Sequence, residues 1–198
     1  MPYLIRRPRV RRSVCALVGA FLLTVLIPAV ANACTVSAGG SQVFTSVGDM
    51  GYYTLVQGGS FEAGAPGWSL TGATVTAGGA SGSRSLTITP NGSAVSPPVC
   101  VSVATPTFRF VERRASGTWA QMNVNVLWTD AQGVAHSTTA GSVSGMTSWT
   151  ASPVMLLGAM LPLWESGSTL SVRLQFLPAQ YGGSWAIDDV YVDPYSRG

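Results

Sequence analysis

The segment that most constrains this chain lies at its end. In Trp185-Ala186-Ile187-Asp188-Asp189-Val190-Tyr191-Val192-Asp193-Pro194, two adjacent acids interrupt what otherwise reads as a β-strand. Successive side chains of a strand point to opposite faces. Unbroken alternation puts Trp185, Ile187, Asp189 and Tyr191 on one face and Ala186, Asp188, Val190 and Val192 on the other. Whichever face is inward, a carboxylate goes in with the apolar residues. Out of water it must accept hydrogen bonds, take up a proton or meet a cation.

The same period of two recurs upstream. Ser85 to Thr89 alternates and stops at Pro90-Asn91-Gly92, which reads as a turn. Thr107 to Glu112 places Phe108 and Phe110 on one face and Arg109 on the other. Ala120 to Trp128 sets Met122, Val124, Val126 and Trp128 opposite Asn123, Asn125 and Leu127, and Asp130-Ala131-Gln132-Gly133 follows as a hairpin turn. Leu170 to Phe176 is the clearest strand. The apolar run Val154 to Trp164 is bounded by Pro153 and broken by Pro162, which argues against a long helix and for a strand followed by a loop or one helical turn. Ala77 to Ser83 reads as a surface loop. Short alternating strands with turn signals between them predict an all-β, antiparallel β-sandwich in one domain.

That domain is expected to span residues 34–198, with residues 1–33 a signal peptide. Arg6, Arg7, Arg9, Arg11 and Arg12 form a basic start, Cys15 to Val30 is apolar, and Ala31-Asn32-Ala33 is a cleavage site. The export signal changes the charge argument. The whole chain has 11 basic and 8 acidic residues, but five of the arginines lie in the leader, so six arginines face eight acids and the remainder is acidic by two. No basic patch is left to attract nucleic acid or a membrane surface after cleavage. Cys15 leaves with the leader, and Cys34 and Cys100 are then expected to pair as a disulfide in an oxidising compartment. The competing reading, a lipid anchor on Cys34, lacks the usual Leu three residues before the cysteine and would leave Cys100 without a partner.

Two motifs at opposite ends carry a resemblance. Gly59-Ser60-Phe61-Glu62-Ala63-Gly64, then Gly67-Trp68, closed by Ile187-Asp188-Asp189-Val190, resembles carbohydrate-binding modules of the galactose-binding-like β-jelly-roll fold. With Asp49 to Trp68, Ser96 to Cys100 and Ile187 to Tyr195 added, most of the exported chain is similar to a group of secreted bacterial proteins of unknown function. The resemblance implies a jelly roll whose first and last strands lie side by side. It also implies a structural Ca²⁺ held by Glu62, by Asp188 or Asp189, and by carbonyls near Gly59. Calcium takes six to eight oxygens, so the chemistry suits it. A buried acid held by N–H groups or an arginine, with no metal, is the alternative, and the sequence leaves both open.

Enzyme chemistry is poorly supplied. His136 is the sole histidine, in a polar context that reads as a solvated turn, and one histidine with two cysteines excludes a zinc site. The expected function is that of a secreted, non-catalytic module, free or associated with the cell wall, that binds a polysaccharide or cell-envelope glycan. A structural or protein-interaction role at the cell surface without a sugar site is the alternative. Sugar rings stack on exposed aromatics with a polar rim around them. Of the six tryptophans, Trp68, Trp128 and Trp185 read as core, and Trp149 leans the same way. Trp119 and Trp164, with Tyr181, have loop-like neighbours and are the candidate platforms. Arg109, with Arg173, Gln175, Asn123 and Asn125, is the candidate rim.

Overall fold

The computed structural model describes residues 39–102, 107–157, 169–179 and 183–193. The expected signal peptide and Cys34 lie outside them. Eleven strands run β1 (Thr54–Leu55), β2 (Ser69–Ala77), β3 (Arg84–Val95), β4 (Val99–Ser102), β5 (Thr107–Arg114), β6 (Met122–Thr129), β7 (Ala135–Val143), β8 (Thr150–Ala151), β9 (Met155–Leu156), β10 (Thr169–Pro178) and β11 (Trp185–Asp193). The main path is β7-β6-β10-β3-β11-β5-β8, with β1 on β11, β2 on β3, β4 on β10 and β9 on β5. Every pair is antiparallel.

This curled sheet closes on itself as a sandwich because its two halves bury their apolar faces against each other. Met122, Val124 and Val126 of β6 and Val172, Leu174 and Phe176 of β10 form one inner face. Leu86, Ile88, Phe108, Phe110, Trp185 and Ile187 form the other. Rings cross the gap: Phe110 meets Phe176 edge-on at 5.0 Å, and Trp68 stacks on Phe176 at 6.0 Å. Such pairs add about 0.5–1.5 kcal/mol beyond the area they bury.

The bend between the halves comes from β3, and here the sequence reading needs correction. Pro90-Asn91-Gly92 does not end the strand. The first part of β3 pairs with β11 through Leu86, Thr87 and Ile88, and the last part pairs with β10 through Ala94 and Val95. Between these parts the pairing with β2 slips from Ala73↔Ile88 to Thr71↔Ser93. Thr89 to Gly92 therefore bulge opposite Gly72, with Asn91 at φ 62°. Pro90 has no N–H to lose from the ladder, and a bulge is how one strand changes sheets.

A second bulge corrects the reading of the terminal strand. Its pairing with β5 shifts between Asp188↔Val111 and Tyr191↔Arg109, and Asp189 takes φ 49°. The phase of the alternation changes there. Trp185, Ile187, Val190 and Val192 all reach the core, which uninterrupted alternation forbids. The other expected elements stand. Asp130 caps the β6–β7 hairpin, its Oδ1 accepting from the N–H groups of Gln132 and Val134. Met155 and Leu156 form the short strand expected after Pro153, and residues 158–168 lie outside the description.

Candidate functional site

The two ends of the domain do lie together. Thr54 pairs with Val192, the Val56 N–H donates to Val190 O at 2.9 Å, and the Val190 N–H donates to Gly59 O at 3.1 Å. Gly59 is required there, since a Cβ would sit 2.9 Å from the carbonyl oxygens of both Val190 and Val56. Asp188 is 1% exposed and Asp189 is also buried. Two main-chain donors answer the first acid: the Ala80 N–H of the β2–β3 loop donates to Asp188 Oδ2 at 2.8 Å, and the N–H of its own neighbour Asp189 donates to Oδ1 at 2.8 Å. The same loop holds Glu62, which accepts from the Ser83 hydroxyl at 2.6 Å and the Arg84 N–H at 2.8 Å. The stretch that reads as a loose surface loop is thus a clasp across both ends of the chain. Burial pushes the Asp188 carboxyl up to about 6, with the charges of Asp189 and Glu62 adding to the rise and the Ala80 N–H opposing it. Glu62 is held below its usual pKa, first by Ser83 and then by Arg84.

Each of the four carboxylate oxygens of Glu62 and Asp188 accepts one N–H or O–H, which answers these charges without a cation. Among the described residues no group of three or more acid, histidine or cysteine side chains is placed to hold a metal ion. A Cβ at Gly82 would overlap the Glu62 carboxyl, so the loop backbone itself fills the space beside that acid.

The candidate rim residues separate. Arg109 is 8% exposed and lies on the outer side of β5, beneath the segment 41–53. Its Nη1 meets Asp49 Oδ2 at 2.6 Å, its Nε and Nη2 both donate to Ser152 O, and its guanidinium lies 4.8 Å above the Phe44 ring. Asn123, Asn125, Arg173 and Gln175 do share one surface, the outer face of β6 and β10. Asn125 Nδ2 donates to Gln175 Oε1 at 3.2 Å, and Thr139 of β7 donates its hydroxyl to Asn125 Oδ1 at 3.1 Å. The pairings Thr139↔Asn125 and Asn125↔Gln175 align these side chains in a row across three strands. Arg173 is exposed next to the row, and β6, β7 and β10 contain no acidic residue.

Trp119 is 88% exposed, on the β5–β6 loop three residues before Met122. That loop is held from below: Arg114 Nη1 donates to Thr118 O at 2.6 Å, and the Ala115 N–H donates to Ser184 O at 2.8 Å. Trp119 therefore lies beyond the first residue of β6, along the strand direction from Asn125 and out of line with the row that runs across the strands. Trp164 and Tyr181 lie outside the described residues. Trp68 and Trp185 are core, whereas Trp128 is only half-buried and stacks on His136 at 4.2 Å. His136 is not in a turn but on β7, with Nε2 2.8 Å from Asp130 Oδ2. Trp149 is half-buried under the Arg113 guanidinium.

The same fold occurs among solved structures. The fold matches the CBM22-1 xylan-binding domain from Paenibacillus barcinonensis Xyn10C at 17% identity, over 70% of this chain and 93% of that one, with a TM-score of 0.54. The fold is a β-sandwich jelly roll. The tandem CBM22-1-CBM22-2 domain of the same Xyn10C matches at 18% identity over 72% of this chain and 46% of that one, with a TM-score of 0.55. The CBM22-1-GH10 modules of Clostridium thermocellum Xyn10B, solved with xylohexaose, match at 14% identity over 66% and 26%, with a TM-score of 0.51. No protein-family model and no curated protein matches the chain.

Two functional groups escape the sequence reading. Thr139 completes the row, but Thr138 and Thr139 follow residues that read as a turn, so β7 carries no strand signal of its own. Glu112 is 2% exposed on the inner side of β5, and its Oε2 has no hydrogen-bond partner among the described residues. It follows Phe108 and Phe110 at a spacing of two, so alternation alone points it inward.

Proposed function

We propose that the protein is an exported, non-catalytic glycan-binding module whose site is the outer face of β6, β7 and β10, with Trp119 as its stacking platform. The observation that carries this reading is the row Thr139–Asn125–Gln175. Its amide and hydroxyl groups are fixed by one another, spaced at the inter-strand distance of about 4.8 Å, and present donors and acceptors to the solvent side. A polysaccharide lying across the strands meets such groups in turn, and Trp119, on the loop that leads into β6, offers an exposed ring face. The likeness to xylan-binding jelly rolls supports a polymer ligand of this kind.

The reading is tested by retention on insoluble polysaccharides and by affinity electrophoresis. The Asn125→Ala, Gln175→Ala double variant should lose retention. Trp119→Ala should weaken binding about tenfold, as removal of a stacking face does. Full retention by both variants would place the site elsewhere, and a chain that binds no polysaccharide would overturn the reading.

A disulfide between Cys34 and Cys100 belongs to the same proposal, since export brings both cysteines to an oxidising compartment. Melting curves separate the two stabilisers considered for the ends of the chain. EDTA should leave the melting temperature unchanged, because N–H and O–H donors already answer Glu62 and Asp188, whereas a reductant should lower it. A fall of several degrees with EDTA would restore calcium to the clasp.

A further inference from the structure

On the far side of the sandwich from the glycan face, the segment 41–53 crosses the outer surface of β5 and β11. It packs Phe44 against Tyr53 at 5.0 Å and Tyr191 at 5.8 Å. Beyond these rings it leaves a cavity of about 480 Å³ under Val47, Asp49 and Met50, floored by Thr107, Arg109 and Asp193. That is within the roughly 300–1,000 Å³ of small-molecule sites.

The hydrogen bonds inside fix what this cavity lacks. Arg109 donates one N–H to Asp49 and two to Ser152 O, which commits three of its five N–H groups. Asp49 is engaged on both oxygens, by the Gly51 N–H at 2.9 Å, the Tyr53 hydroxyl at 2.7 Å and Arg109. The Thr107 hydroxyl donates to Asp193 Oδ2 at 3.1 Å. Both hydroxyl hydrogens are thus turned to carboxylates, and the oxygens of Tyr53 and Thr107 are left as acceptors. Asp193 is nine-tenths buried, and among the described residues Thr107 is its sole hydrogen-bond donor and no cation pairs with it. Burial raises the Asp193 carboxyl above its usual pKa against the Thr107 bond, and the charge of Asp49 raises it further. The cavity holds one guanidinium against two carboxylates. It offers acceptors at three places, and its remaining side-chain N–H groups all belong to Arg109.

A group with several N–H donors, no acceptor and one positive charge is the complement: an ammonium. A bare divalent ion is a poorer match, since one uncommitted carboxylate supplies too few of the oxygens it takes and Arg109 repels it. The same commitment of Asp49 removes the paired carboxyls that a hydrolase would need. The rim completes the description. Val47, Met50 and Val154 are each exposed over at least half their surface, so an aliphatic stem finds contact that a polar sugar ring does not. The chain contains no lysine, so the occupant comes from another molecule.

We propose that this cavity binds an ω-aminoalkyl group, with Asp193 as counter-ion, the Thr107 and Tyr53 oxygens as further acceptors, and Val47, Met50 and Val154 along the stem. The chemistry is shared by a free diamine and by a lysyl side chain of a peptide.

Amide NMR titrations of the full exported chain test it, with Nα-acetyl-lysine methylamide, 1,5-diaminopentane, glucosamine and Nα-acetyl-norleucine methylamide as probes. The lysine derivative should shift the amides of Met50, Thr107 and Asp193. The norleucine derivative, which has the stem without the charge, should not, and neither should glucosamine. Shifts with the diamine alone would assign the site to free amines, and shifts with both to lysyl groups as well. Asp193→Asn should weaken binding by roughly tenfold or more. Met50→Lys places an ammonium at the exposed rim and should block the site from within. Equal response to norleucine, unchanged affinity in folded Asp193→Asn or Met50→Lys protein, or no shift with either amine would overturn the proposal.

Discussion

Glu112→Gln should stabilise the protein at pH 8 relative to its effect at pH 4, by about 3 kcal/mol. Glu112 sits on β5 between Ile187 of β11 and Thr150 of β8, with its carboxyl beneath Gly145, where a Cβ would overlap it. Nothing described answers its charge. Arg113 lies over Trp149, Arg114 donates to Thr118 O, and the Trp185 Nε1 on the same inner face has no partner either. Burial alone pushes this acid from 4.5 up to about 7. Below pH 4.5 both the folded and the unfolded chain carry the proton, and the group is silent. Between 4.5 and 7 the folded state keeps a proton that the unfolded state has released, so stability falls as pH rises. Above 7 the full penalty of an ionised buried acid is present. Glutamine never ionises, so the gain of the variant over the parent should open through this window and then stay constant. Urea denaturation at pH 4, 6 and 8 reads it, and for a domain of this size the melting temperatures at pH 8 should differ by roughly 6–12 °C. A gain independent of pH would mean that Glu112 is paired or hydrated in solution.

Arg109→Ala should cost about 3 kcal/mol while leaving polysaccharide retention intact. The lost guanidinium leaves Ser152 O without its side-chain donors and Asp49 with only the Gly51 N–H and the Tyr53 hydroxyl to answer its charge. Removing both charges should cost less than removing one. The pair Arg109→Met, Asp49→Asn should therefore recover part of the loss, and a double-mutant cycle measures the coupling. Arg109 belongs to the opposite half of the sandwich from the row of Asn125 and Gln175. Loss of polysaccharide binding in Arg109→Ala with stability unchanged would return it to the rim that the sequence suggested.

Much of the outer face of β6 and β10 is written in alternation. Met122, Val124 and Val126 against Asn123 and Asn125 announce which side of β6 is wet, and Val172, Leu174 and Phe176 do the same for β10. What alternation does not encode is the neighbour. Thr139 joins Asn125 because β7 returns across a hairpin with a bulge in its register, and Arg109 leaves the rim because Asp49, sixty residues earlier, folds over it. Local polarity is the same for Arg109 and Arg173. Only the layer laid on top differs.

The chain by itself settled that it forms a sandwich and that its last strand hides an acid, and both follow from period-two patterning and the cost of burying a carboxylate. That its two ends meet was implied only by the resemblance of its end motifs to jelly-roll modules. The tertiary structure alone decided how that acid is answered, which strand bends from one sheet to the other, and which polar residues stand together. Those outcomes depend on two bulges, at Asn91 and Asp189, and on backbone N–H groups from a distant loop. A bulge shifts every residue after it to the other face, and a main-chain donor is the same whatever side chain it carries, so neither leaves a mark that the sequence shows.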